Sequence, residues 1–250
     1  MSLRFLVAYI VAQFPLHFAP AADTPVPDEV PANIRAVFEE LAIKPTVKLI
    51  GKVPAEFQPD DVTTEAILKD PQKYAVRSAV LKAAVAVRRV REAPRLTELA
   101  DPVTRETKRE LIVEQEQLAL AILELSEIRE ELQTATGEKS KRWLAHRDYL
   151  LAAVQMHLAR TEEYNRLLGS VRTDELPPLD AAKQQNGWRL IEVERMTSLK
   201  IVRDGDRAAR KRFEQIRNDY PDTLWAKLAE QDLASRSGLK WEPVPLARRR

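Results

Sequence analysis

Residues 103–134 read VTRETKRELIVEQEQLALAILELSEIREELQT, and the reading of this stretch decides the fold class. Leu111, Leu118, Leu125 and Leu132 fall seven apart, with Ala121 and Ile128 three residues after two of them. That pattern writes a coiled-coil-like seam along one helix, a rod roughly 50 Å long at about 1.5 Å per residue. Asp101-Pro102 opens it and Thr136-Gly137-Glu138 closes it with a turn. Ser140 then begins a second long helix ending at Leu168-Gly169, with Trp143, Leu150, Leu151, Val154, Leu158 and Leu167 as its seam and Tyr164 beside it. Two long helices joined by a short glycine-containing turn fold back as an antiparallel hairpin. The spacing predicts an all-α protein built on a hairpin over about 103–169.

The prolines support this. None occurs in the 74 residues 103–176, and a proline inside a helix costs about 3 kcal/mol or more. Upstream, Asp70-Pro71 pairs an N-cap with proline at the first helical position, predicting a helix from Pro71 to about Glu92. Its apolar residues Tyr74, Val76, Val80, Leu81, Val85, Val87 and Val90 nearly encircle it, so most of it should be buried. Asp61 and Thr63-Thr64 can cap a short helix ending at Lys69. From Pro31, the spacing of Ile34, Val37, Phe38 and Leu41 signals an amphipathic helix, and Val47–Gly51 is either a short strand or an extended connection. Downstream, Pro177-Pro178 breaks the chain, and Trp188–Val193 reads equally as a strand or as a loop. Asp204-Gly205 opens a final helix pair, about 206–220 and 223–234.

Composition excludes several classes. The chain has no cysteine, so disulfides and thiolate chemistry are absent, and its 6 glycines offer little to a phosphate-cradling loop. Forty basic against 38 acidic residues are mixed along the chain. Arg88-Arg89 with Arg91, and Arg207 to Arg212, sit among acidic residues in helical patterns, so no basic stripe for nucleic acid is expected. Met1 to Ala22 reads as an export signal: Arg4, the apolar run Phe5–Ala12, then Ala19-Pro20-Ala21 as the small residues before a cleavage point. No later segment is long and apolar enough to span a membrane. The expected organisation is a signal at 1–22, a linker with a short helical segment at 23–70, a helical domain at 71–242 and a basic tail at 243–250.

The last helix pair carries Ala208-Ala209, Phe213, Ile216 and the corner Tyr220-Pro221-Asp222-Thr223, followed by Trp225-Ala226 and Leu228-Ala229. It resembles one tetratricopeptide unit over residues 204–235. More broadly, the order is Lys141-Arg142-Trp143, Glu163-Tyr164-Asn165, Asn186-Gly187-Trp188-Arg189-Leu190 and Leu239-Lys240-Trp241-Glu242. That order is similar to the helical C-terminal region of secreted proteins typical of planctomycete bacteria, some of which also carry a von Willebrand A domain. The resemblance spans about 75–242, and no adhesion-type D-x-S-x-S run accompanies it here. It implies export and a helical scaffold, and it transfers no catalytic residue.

Motifs for chemistry are sparse. His146-Arg147-Asp148 spells the protein-kinase triplet, but Ala153 stands where that pattern needs asparagine. The triplet therefore reads as an exposed cluster on a helix. His146 and His157 lie about 16 Å apart along one helix, too far for one metal. Trp143 and Val154 occupy the positions where a di-iron bundle would place glutamates, so both histidines are expected at the surface or in the seam. Glu124, Glu127, Glu130 and Glu131 have the spacing of a solvated face, with paired carboxylates for acid–base work as the rival reading. No cofactor is called for by any motif.

The aromatic residues Trp143, Tyr164, Trp188, Trp225 and Trp241 either line a partner-binding groove or plug the junction between hairpin and terminal pair, with Trp241 the best candidate for an exposed contact. The sequence thus predicts an exported, non-enzymatic helical scaffold that binds another envelope protein. The alternatives are an envelope hydrolase using exposed carboxylates and a coiled-coil protein that self-associates through the leucine seam.

Overall fold

A computed structural model describes residues 55–57 and 60–246. The expectations for 1–22, 31–45, 47–51 and the terminal arginines lie outside the described residues. In chain order the elements are α1 (Thr64–Lys69), α2 (Ala75–Glu92), β1 (Glu98–Ala100), α3 (Arg105–Thr134), α4 (Lys141–Arg172), β2 (Gly187–Val193), α5 (Lys200–Asp219), α6 (Leu224–Ala234) and β3 (Gly238–Val244). Single 3-10 turns occur at Ala55–Phe57 and Ala181–Lys183. The described residues are mostly helical, as the leucine spacing predicts, with a small three-stranded sheet added.

The hairpin forms as its sequence dictates. Thr104, rather than Asp101, caps α3 by accepting from Thr107 N at 3.1 Å. The chain leaves α3 through Gly137 at φ +90°, a backbone region glycine enters without a Cβ penalty. Glu138 accepts from the Lys139 and Ser140 amides and from Arg77, which fixes the turn against α2. Leu111, Leu125, Ile128 and Leu132 are buried, so the seam is consumed inside one chain. Antiparallel packing of α3 on α4 is shown by Gln115 Nε2 donating to the Asn165 carbonyl at 3.0 Å and by Lys108 pairing with Asp174 at 2.7 Å.

Helix α4 is the axis of the molecule: α2, α3 and α5 all pack on it. Asp70 holds the turn ahead of α2 through Lys73 N, so the regular helix begins at Ala75, one turn later than Asp70-Pro71 suggests. Helix α5 begins at Lys200 and runs straight through Gly205, where the expected start at Asp204-Gly205 is an ordinary helical turn. Thr223 caps α6.

The sheet is the main departure from an all-α fold. Its order is β1-β2-β3, antiparallel throughout, with Leu99 opposite Trp188 and Leu190 opposite Trp241. Leu99, Trp188, Leu239 and Trp241 point to one face and cover Tyr164, Leu167, Leu168 and Val171 of α4. Gly187 and Gly238 permit the close approaches this needs. A Cβ on Gly187 would stand 2.3 Å from the Leu99 carbonyl oxygen, and one on Gly238 would stand 2.1 Å from that of Arg195.

Among the described residues two main cores result, one under the sheet and a larger one among α1, α2, the second half of α3, the first half of α4, α5 and α6, with a small cluster of Ala159, Met196 and Val202 beside them. Phe57 and Ile67 belong to the larger core and β3 reaches Val244, so the packed body extends past both expected limits, 71 and 242. Between the cores, buried Glu163 of α4 accepts from Thr197 N at 3.0 Å and from Ser198 Oγ, tying the approach to α5 onto the axis.

Candidate functional site

None of the five aromatic residues forms an open groove. Trp143 and Trp225 lie in the larger core, while Tyr164, Trp188 and Trp241 lie under the sheet. Trp241, the candidate for an exposed contact, is only 3% exposed, because strand pairing turns it inward, and its Nε1 donates to the Leu167 carbonyl at 3.2 Å. Trp188 donates to the Pro177 carbonyl at 2.8 Å. Tyr164 donates to Glu114 and accepts from Leu96 N. Trp225 packs on Phe57, His146 and Tyr220, with ring centroids 5.4, 5.0 and 6.4 Å away.

The histidines are interior. Trp225 Nε1 donates to His146 Nδ1 at 3.1 Å, which leaves His146 Nε2 buried without a partner. Burial, helped by the charge of Arg142, pushes the His146 imidazole down to about 3. His157 is 4% exposed and both its ring nitrogens lack a hydrogen-bond partner. Burial and then Arg91, Arg160 and Arg95 push it down to about 3 as well. The kinase-like triplet is thus no exposed cluster: Arg147 and Asp148 pair with each other, and Asp148 accepts from Tyr220 OH at 2.6 Å.

Both imidazoles stay neutral in the folded chain to about pH 3, whereas an unfolded histidine takes its proton near pH 6.5. Between those values the unfolded state binds more protons. Stability therefore falls as pH drops from about 6.5 towards 3, by at most about 1.4 kcal/mol per pH unit for each histidine. Urea unfolding at several pH values should show a steeper loss for the wild-type chain than for His146→Gln/His157→Leu, in which glutamine still accepts from Trp225. Parallel profiles would contradict the burial of these rings.

The acidic run divides. Glu124 pairs with Arg89 at 2.8 Å and Glu131 with Lys82 at 2.6 Å, both stapling α3 to α2, while Glu127 and Glu130 face solvent. Among the described residues no three histidine, aspartate or glutamate side chains converge in a way that could hold a metal ion.

Two other features were not singled out by sequence reasoning. On the outer face of α3, opposite the seam, Ile112, Val113, Leu120 and Leu123 remain 40–58% exposed. Glu116 stands among them between Ile112 and Leu120, with Glu127 and Glu130 beyond one end and Arg105 and Arg109 beyond the other. The second is a cleft of about 490 Å³ where the end of α2, the segment 93–97, the middle of α4 and the end of α6 meet. Arg91, Arg95, Arg160, His157, Met156 and Asp232 are among its walls.

Three guanidinium groups share this cleft with one carboxylate. Asp232 accepts from Tyr149 OH at 2.9 Å, and burial raises its carboxyl above the usual range despite that bond. Arg160 donates to Ser235 Oγ and the Arg236 carbonyl, and burial holds its guanidinium below its ordinary value. Arg95 lies over the Tyr164 ring, 5.6 Å from the centroid, and pairs with no carboxylate among the described residues.

No protein-family model, no curated protein and no solved structure matches this chain. Among the described residues no helix is long and apolar enough to cross a membrane.

Proposed function

We propose that the protein is a non-enzymatic helical scaffold of the cell envelope that binds another protein there through the outer face of α3. The observation that carries this reading is the apolar ridge Ile112, Val113, Leu120 and Leu123 on a helix whose opposite face is locked into the core. A large apolar side chain contributes about 1.5–3 kcal/mol when fully buried, and these four leave much of that unrealised. The ridge is about 17 Å long, and its backing by α2 and α4 means little ordering cost on binding.

The charge pattern specifies the occupant. Exposed Glu116, Glu127 and Glu130 outnumber exposed Arg105 and Arg109 along this face, so the complementary surface is an amphipathic segment with apolar anchors and mainly basic flanks. The signal-like residues Met1 to Ala22 support placement in the envelope, as does the resemblance to secreted planctomycete-type proteins with a tetratricopeptide-like terminal pair. Function by self-association through the leucine seam has less support, because Leu111, Leu125 and Leu132 are already buried within one chain.

The test is chemical crosslinking in cells, followed by recovery of the tagged protein from the envelope fraction and mass spectrometry. The expected result is one or two envelope proteins crosslinked to α3 and a recovered chain beginning near Asp23. Recovery of copies of itself alone, or a chain retaining Met1 in the cytoplasm, would overturn the reading.

A further inference from the structure

The cleft between the ends of α2 and α6 carries no part of the α3 ridge, and its chemistry points to a different ligand. Arg91 is in the last turn of α2 and Arg95 in the non-helical segment that follows it, while His157 and Arg160 sit on consecutive turns of α4. Like charges are not gathered this way for stability. Unlike Lys82 and Arg89, whose carboxylate partners staple α2 to α3, Arg95 has only an aromatic face opposite it. Asp232, which accepts from Tyr149, offsets part of the charge of Arg91 and Arg160 and leaves Arg95 without a carboxylate partner among the described residues.

His157 is the second, independent sign. A neutral imidazole has one N–H to donate and one nitrogen to accept, and leaving such groups buried and unbonded costs about 1–3 kcal/mol each. His157 lines the cleft with both nitrogens in that condition. Its nitrogens are themselves buried, so an acceptor held among the three guanidinium groups would satisfy the N–H once the ring turns toward the cleft.

We propose that this cleft is a binding site for a small, doubly charged oxyanion, a phosphate or phosphate-like group held by Arg91, Arg95 and Arg160, with the His157 N–H donating from the wall. Guanidinium forks match the geometry of a tetrahedral oxyanion, and the three positive groups outnumber the one carboxylate lining the cleft, although Glu192 and Asp206 offset part of the charge of Arg160. The volume of about 490 Å³ accommodates a phosphate with a small organic group attached.

The experiment uses the full chain with nitrogen-15-labelled histidine, titrated with inorganic phosphate and, in a parallel arm, with sodium chloride at matched ionic strength and pH. The expected result is a saturable shift of the His157 ring nitrogens with phosphate alone, while those of His146, enclosed beside Trp225, stay still. Arg91→Gln/Arg95→Gln should weaken the phosphate response about tenfold or more. Arg91 is exposed and Arg95 is half-buried over the Tyr164 ring, so the urea midpoint of the variant is measured alongside to show that it folds. No saturable His157 response in the wild-type chain, an equal response to chloride, or an unchanged affinity in the variant would each overturn the site.

Discussion

Replacing Trp225 by alanine should cost the folded chain about 3–5 kcal/mol, the range for truncating a buried aromatic ring. The ring is 3% exposed and is the shared neighbour of Phe57, His146 and Tyr220. It is also the donor that satisfies His146 Nδ1, so its loss leaves that buried nitrogen unbonded as well. Trp225→Phe keeps most of the packing and loses only the bond, for about 1–3 kcal/mol. Urea midpoints should fall in that order. Because Phe57 rests on this ring, the alanine variant should also be cut faster by protease near Ala55. An alanine variant within 1 kcal/mol of wild type would mean that the terminal helix pair is not anchored to α4 as described.

The second large effect concerns binding. Leu120→Gln/Leu123→Gln should leave stability within about 0.5 kcal/mol of wild type, since both side chains are more than half exposed and glutamine is a good helix former. The same pair of substitutions should reduce recovery of the envelope partner at least tenfold, because central apolar anchors dominate interface energies. Measured on purified chains with the partner, the loss should fall mainly on the dissociation rate. Unchanged recovery would show that the ridge is not the docking surface. A large drop in the unfolding midpoint would show that these leucines serve the fold.

Much of the architecture was legible in local patterns. The seven-residue leucine spacing, the proline-free span and the glycine turn specify the hairpin, and Thr223 after Pro221 specifies the start of α6. The sheet was less visible because β1 is only three residues long, too short for any periodicity to emerge. Strand β3 did carry a signal: Leu239 and Trp241 alternate with Lys240 and Glu242. Its meaning depends on pairing with β2, a partner about fifty residues upstream. Helix starts differ from the capping signals in two places, and Leu199 ahead of α5 carries no side-chain cap that a sequence could display. At Asp101-Pro102 the regular helix waits for Thr104, and at Asp204-Gly205 it has already begun at Lys200.

Candidate sites were harder to read than helices. Tryptophan is common both in cores and at interfaces, and only tertiary pairing shows that Trp188 and Trp241 face α4. The cleft joins residues from α2, α4 and α6, which share no motif spacing. The ridge on α3 was present in the sequence as Ile112, Val113, Leu120 and Leu123, one or two positions out of phase with the leucines of the seam. It becomes a distinct surface only once Leu111, Leu125 and Leu132 are known to be filled from within.

The most direct test of the scaffold reading is a photoreactive amino acid in place of Leu120, with a second chain carrying it at Lys240 on the sheet, both irradiated in intact cells before lysis. The account predicts a discrete adduct with a different envelope protein from position 120 and none from position 240. An adduct from position 240 alone, an adduct between two copies of this chain, or no adduct from position 120 would contradict it.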